Sequence, residues 1–303
     1  MSKALVFSAL AWLAVSAGGW SATQCPPPGY SLTTLRQLQS VNFALKDSEA
    51  RNSLALALLD CLSNADPEMR DRVAFEALST WLRAQQLETA TVVAIYARLV
   101  MQLESSQADP AGFTKPFAAL VLSEVARADA AKPQLNAEQR KRLLAAATSY
   151  LTSITDYRGF NSVQGWRHGV AHGADLLMQL ARNKALGKTE LDSILNALAS
   201  QVAPRGKHFY HYGEPERLAA AVLVIAQRAV HSKAQWQAWL QALSAPAPLP
   251  DWGAASSSQA GLAKRHNLMA FLLVMYRTLQ ESKDLKAREL LLPALTAALR
   301  ELP

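Results

Sequence analysis

Between Asp156 and Leu177 the chain sets Arg158, Trp166, His168, His172 and Asp175 among Gly159, Gly165, Gly169 and Gly173. Read as a helix from about Val163, with about 100° between successive residues, this stretch gathers His168, His172 and Asp175 within an arc of about 60°. Two imidazoles and a carboxylate on one face are donors that can hold a divalent transition metal and leave positions open for water and substrate. The same groups could instead line a metal-free ligand pocket, act as acid and base, or form a solvated face opposite the apolar stripe Trp166, Val170, Ala174, Leu177 and Ala181. The zinc-protease pattern is excluded, because Gly169 stands where its glutamate would be. Glycine inside a helix costs roughly 0.5–1 kcal/mol relative to alanine. Gly165, Gly169 and Gly173 therefore predict a flank that another backbone approaches closely.

A second cluster runs from Lys207 to Arg217 and contains His208, Tyr210, His211, Tyr212, Glu214 and Arg217. Pro215 fits a first helical position, which makes Glu214 the cap and puts Glu216 and Arg217 in the opening turn. The acidic pair either complements the helix dipole or joins His208, His211 and Arg217 across a groove from the His168 helix. Tyr210 and Tyr212 would then supply an apolar wall with polar tips. Lys264-Arg265-His266-Asn267 is either a third wall or an exposed basic turn. Nucleophile elbows, phosphate-cradling glycine loops and dinucleotide fingerprints are missing.

Helical periodicity dominates the elements that must carry these residues, and strand signals are almost absent. Asp66-Pro67 reads as a cap and a proline opening a helix over 68–84. Eleven further segments follow the same period: about 34–46, 48–62, 89–104, 114–128, 137–154, 163–185, 189–201, 215–230, 233–243, 262–281 and 284–300. Short Gly, Pro, Asn and Asp connectors separate most of them. About 40 residues per helix pair predicts an all-α fold, with antiparallel hairpins stacked as a HEAT-like α-α superhelix or closed as an α/α toroid. The long connection from Ser244 to Gln259 reads as a functional lid or a disordered linker, and Asp251-Trp252-Gly253 in its middle favours an ordered lid.

Half the residues are apolar, 18% are charged and the formal net charge is +7. These values describe a globular chain, and the scattered basic residues argue against a nucleic-acid binder. Residues 1–22 read as a signal peptide: Lys3, the apolar run Ala4 to Val15 broken only by Ser8, then the small residues Val15-Ser16-Ala17. The run is too short to span a bilayer. The expectation is export to the periplasm or beyond, leaving a single all-α domain over 23–303 with no transmembrane span. Cys25 and Cys61 could pair as a disulfide in an oxidising compartment or remain two small buried hydrophobes.

Three segments together resemble the bacterial family known as domain of unknown function 2785. They are Asp66-Pro67-Glu68-Met69-Arg70-Asp71 with Ala74 to Trp81; Arg158-Gly159-Phe160 with Gly165-Trp166-Arg167-His168 and Ala171 to Leu177; and Gly213-Glu214 with Glu216-Arg217-Leu218. Arg167 departs from the family pattern, which more often has a small residue there. The likeness spans about 40–280 and implies a single helical domain. It implies no activity.

The residues thus predict a small polar ligand or peptide bound in a concave groove by Arg158, Trp166, His168, His172, Asp175, His208, His211, Glu214 and Arg217. A metal-assisted or carboxylate-dependent hydrolase is the alternative, with His168, His172 and Asp175 holding the metal and Glu214 as acid/base. A scaffold for partner proteins is the third.

Overall fold

The first residues of the helices explain where the helices begin. Ser31, Asp47, Asn136, Ser232, Ser258 and Asp284 each accept a backbone N–H from the turn they precede, satisfying donors that a helix start leaves open. A computed structural model describes residues 24–302; the signal-peptide reading of residues 1–22 lies outside the described residues. Among the described residues the fold is all-α. Its helices are α1 (Leu32–Ser40), α2 (Ser48–Leu58), α3 (Glu76–Arg83), α4 (Thr89–Glu104), α5 (Thr114–Ala131), α6 (Ala137–Ser153), α7 (Gly169–Arg182), α8 (Lys188–Val202), α9 (Glu214–Gln227), α10 (Lys233–Ser244), α11 (Gln259–Glu281) and α12 (Leu285–Glu301). No described helix is long and apolar enough to cross a membrane.

Apolar residues at helical spacing pack these helices in two layers. In one layer α3, α5, α7, α9 and α11 touch in succession, and in the other α2, α4, α6 and α8 do so; the hairpins α4–α5, α6–α7 and α8–α9 join the layers. One continuous core runs through them, with Trp81, Phe117, Leu177, Leu198 and Phe271 among its members. Helix α7 lies between α5 and α9 with α6 and α8 behind it, and every residue from Gly169 to Leu177 is buried.

Three expectations change. The helix expected over 68–84 is divided: Glu68–Phe75 is a wider π-helical stretch that runs into α3. The helix expected from Val163 begins only at Gly169, and before it a two-stranded hairpin, β1 (Phe160–Asn161) and β2 (Gly165–Trp166), pairs Phe160 with Trp166 and Asn161 with Gly165. Asn161 Oδ1 accepts from the N–H groups of Val163 and Gln164 (2.9 and 3.0 Å), and Gly165 takes a φ of +72°. A three-residue loop closed by a left-handed glycine is a recurrent hairpin form. The 244–259 connection is ordered, but as a strap on the start of α11. Trp252 Nε1 donates to the Ser244 carbonyl (3.1 Å) and Lys264 Nζ to that of Ala247 (2.7 Å). Cys25 and Cys61 form a disulfide with Cα atoms 5.2 Å apart, tying the segment before α1 to the 3-10 turn Leu59–Ser63 after α2.

Candidate functional site

The hairpin is docked by a fully buried cation. Arg70, on the π-helical stretch, is 0% exposed and donates to the carbonyls of Asn64 (2.9 Å) and Gln164 (2.7 Å) and to the Asp71 carboxylate (2.7 Å). Its guanidinium lies over the Phe113 ring, 4.0 Å from the centroid, so the charge is dispersed over a ring and several acceptors. A β-carbon on Gly165 would come within 2.9 Å of Pro67 Cβ, so the turn can rest on Pro67 only because Gly165 has no side chain.

The 208–214 segment is pinned at both ends of its extended part. Asn267, completely buried on α11, accepts the Tyr210 N–H (2.8 Å) and donates to the His208 carbonyl (3.0 Å). The Tyr210 hydroxyl donates to the Gln201 carbonyl (2.9 Å). Gly213 takes a φ of +86° and is the residue before α9, which corrects the expectation that Glu214 is the cap. Glu214 is instead the first helical residue, its carboxylate taking the Tyr212 N–H (2.9 Å). Burial raises the pKa of this carboxyl, and the N–H bonds it accepts pull it back down.

Hairpin and segment meet through aromatic rings. Tyr157 stacks on His208 with centroids 4.9 Å apart, Trp166 meets Tyr212 edge-on at 5.8 Å, and Trp166 stacks on His168 at 4.7 Å. Between them opens a cleft of about 480 Å³. Residues 157–161 and Arg167 form one wall, and His208, His211 and Tyr212 form the other. Of the residues singled out in sequence, Arg158, His208, His211 and the wall residue Tyr212 line this cleft, and Trp166 stands beside it, 38% exposed. His168, His172, Asp175, Glu214 and Arg217 do not line it.

The His168, His172 and Asp175 arc fails for a geometric reason. His168 precedes α7 in a left-handed conformation (φ +57°), so the 100° progression does not apply to it. His172 and Asp175 are buried, which also removes the solvated-face reading. The His172 Nδ1–H donates to the Pro116 carbonyl (3.1 Å), and the Asp175 carboxylate is held by Arg217 in an ion pair between α7 and α9. The His168 and His172 rings approach at 5.7 Å. Among the described residues no group of three or more His, Cys, Asp or Glu side chains is arranged to hold a metal ion. Burial pushes the His168 pKa down to about 4 and that of His172 to about 3, so both rings are neutral at pH 7. The same burial raises the Asp175 carboxyl against the pull of Arg217. The glycine flank is also corrected, since Gly169 and Gly173 face the side chains of Tyr150 and Leu151 on α6 rather than another backbone. His266, 3.3 Å from the Tyr210 carbonyl through Nε2, supports the segment from outside the cleft.

Tyr157, Gly159, Phe160, Asn161 and Arg167 are wall residues that the helical reading of this stretch left without that role. The available signal was Asn161 followed four residues later by Gly165, with aromatic Phe160 and Trp166 outside them. Arg167, the departure noted in the sequence, is 7% exposed. It donates to the Ala111 carbonyl (2.6 Å) and to Gln164 Oε1 (2.7 Å) and lies over Phe113 at 4.5 Å. No carboxylate lines the cleft, so the carboxylate pair of the hydrolase reading has no place there.

The family model described as "Protein of unknown function (DUF2785)" matches residues 99–276. The 66–81 segment lies outside that match, yet Arg70 and Pro67 within it carry the hairpin. No curated protein and no solved structure matches the chain at a significant level.

Proposed function

We propose that this chain, which belongs to the DUF2785 family, is an exported helical-repeat protein that binds a small polar ligand or peptide in the cleft between the 157–167 hairpin and the 208–212 segment. The observation that carries this reading is the lining: aromatic rings interleaved with the hydrogen-bonding side chains of Arg158, Asn161, Arg167, His208 and His211. A concave site of several hundred Å³ with a few convergent polar groups is the usual form of a small-molecule pocket. Such a lining orients and holds a ligand, and it presents no nucleophile–base pair. Export is supported by the apolar run after Lys3 and by the Cys25–Cys61 disulfide, a bond that persists in oxidising compartments. HEAT-like stacking is supported by the succession of contacts within each helical layer.

A thermal-shift screen of the purified chain against a library of polar metabolites and short peptides tests the binding reading. At least one compound should raise the unfolding temperature, and His211→Ala or Tyr212→Ala should abolish that rise while leaving the ligand-free melt in place. A stabilising ligand unaffected by either substitution would move the site elsewhere. Fractionation of the producing cells tests export, which fails if the chain remains in the cytoplasm with both thiols reduced.

A further inference from the structure

Resting on the cleft as the ligand site, we infer that its occupant is a small organic acid, with a carboxylate or phosphate group carried on a flat ring. The lining has a one-sided charge. The positive charge comes from the guanidiniums of Arg158 and Arg167, the imidazoles of His208 and His211 add hydrogen-bonding groups, and neither wall contains Asp or Glu; burial lowers the His208 pKa and favours its neutral form. The Arg158 guanidinium is held from behind by the Asp156 carboxylate (Nη2 to Oδ2, 2.5 Å), which fixes its orientation.

Arg167 carries the argument further. This guanidinium is almost wholly removed from water, and its bonds to Ala111 and Gln164 go to neutral acceptors. Among the described residues it forms no ion pair, in contrast to Arg70, Arg140 and Arg217. Asp156 and Asp109 act on this cation only from a distance, while Arg158 and Arg70 oppose it, and burial dominates; an anion placed between the walls and bonded directly to the guanidinium recovers part of that desolvation cost. A guanidinium presents paired N–H donors that match the two oxygens of a carboxylate or phosphate.

Phe160 and Tyr212 supply the second half of the recognition. Phe160 is 49% exposed, and the Tyr212 ring lies against His211 with centroids 4.1 Å apart. Flat apolar faces beside cationic donors suit a ring that stacks while its acidic group reaches the arginines. The cleft volume fits one such ring and its substituents.

Titration calorimetry of the purified chain with matched probes tests this assignment: benzoate against benzyl alcohol, phenyl phosphate against phenol, and inorganic phosphate alone. At least one ring-bearing acid should bind about tenfold or more tightly than its neutral counterpart, a difference of about 1.4 kcal/mol. That preference should shrink at about 0.5 M salt and disappear in Arg167→Gln. Arg158→Gln, at a half-exposed position, gives the same readout if Arg167→Gln fails to fold. The benzoate and phenyl phosphate arms separate carboxylate from phosphate recognition. Neutral members binding as tightly as their acids in every pair overturn the anion assignment and leave the ligand site standing, as does a screen ligand that is neutral and lost in Tyr212→Ala. Inorganic phosphate binding as well as every ring-bearing acid overturns the ring. If neither the acids nor any screened compound binds in a Tyr212-dependent way, the ligand-site reading itself falls.

Discussion

The ring of Tyr212 lies where a side chain on Gly159 would begin: a β-carbon there would sit 2.0 Å from Tyr212 Cδ2. That approach closes one end of the cleft and joins two stretches of chain more than fifty residues apart. Gly159→Ala should therefore expel the Tyr212 ring, weakening ligand binding by tenfold or more at an overpacking cost of about 1–3 kcal/mol. In a Tyr212→Ala background the same substitution should cost almost nothing in stability. A double-mutant cycle by urea denaturation reads that coupling, and additive effects would show that the two residues do not meet.

Asn267 should matter more than its distance from the cleft suggests. Its amide serves the Tyr210 N–H and the His208 carbonyl at once. Asn267→Leu would leave two backbone groups without partners, each worth about 1–3 kcal/mol. The expected result is a loss of about 2–4 kcal/mol in chemical denaturation, with hydrogen exchange at Tyr210 accelerated ahead of that in α5 and α7. Uniform acceleration through the core would assign Asn267 a general packing role instead.

Acid should loosen the fold from near-neutral pH. His168 and His172 have folded-state pKa values of about 4 and about 3, below the ordinary 6.5. The unfolded chain therefore takes up these protons first as pH falls. The stability that depends on the neutral rings is complete above about pH 6.5 and is lost progressively towards pH 4 and 3. Each ring contributes a slope of up to about 1.4 kcal/mol per pH unit inside that window. Asp71, Asp175 and Glu214, raised by burial, act in the opposite sense and blunt the slope at its acidic end. Urea midpoints at pH 7, 6 and 5 should fall for the natural chain and fall less for His168→Gln/His172→Gln. Equal slopes in the two proteins would remove these rings as the cause.

The disulfide closes a loop between residues 36 apart, which in the chain-entropy treatment is worth roughly 3–4 kcal/mol. Cys25→Ser/Cys61→Ser should lose stability of that order, and reductant should lower the natural chain to the same level without affecting the variant. Ligand binding should survive, because the bond lies outside the cleft walls.

Local chemistry made the fold class and most helix positions legible. Caps such as Asp47, Asn136 and Ser232 act within three or four residues, and the apolar period repeats along each helix, so both can be read from a short window. The three stretches carrying the family resemblance were legible too, and the structure brings them together: Arg70 reaches Gln164, Tyr212 covers Gly159, and Arg217 pairs with Asp175. The hairpin at 160–166 is hidden in the sequence because Gly165, which permits its turn and its approach to Pro67, also continues the spacing of Gly169 and Gly173 on a helix flank. A helical reading of that stretch carries His168 onto a helical face it does not occupy.

By itself, then, the sequence determined an all-α chain, its approximate helix limits, its family and the two stretches that meet at the cleft. Tertiary structure alone decided which polar side chains turn towards one another and which face the cleft. His172 and Asp175 look chemically active in one dimension, but burial between α5 and α9 uses them for a carbonyl contact and an ion pair. Arg167 looks incidental until the loop carbonyl of Ala111 and the ring of Phe113 enclose it. The physical reason is the range of the forces involved: capping and periodicity act between near neighbours, whereas desolvation and charge pairing depend on atoms brought close from distant parts of the chain.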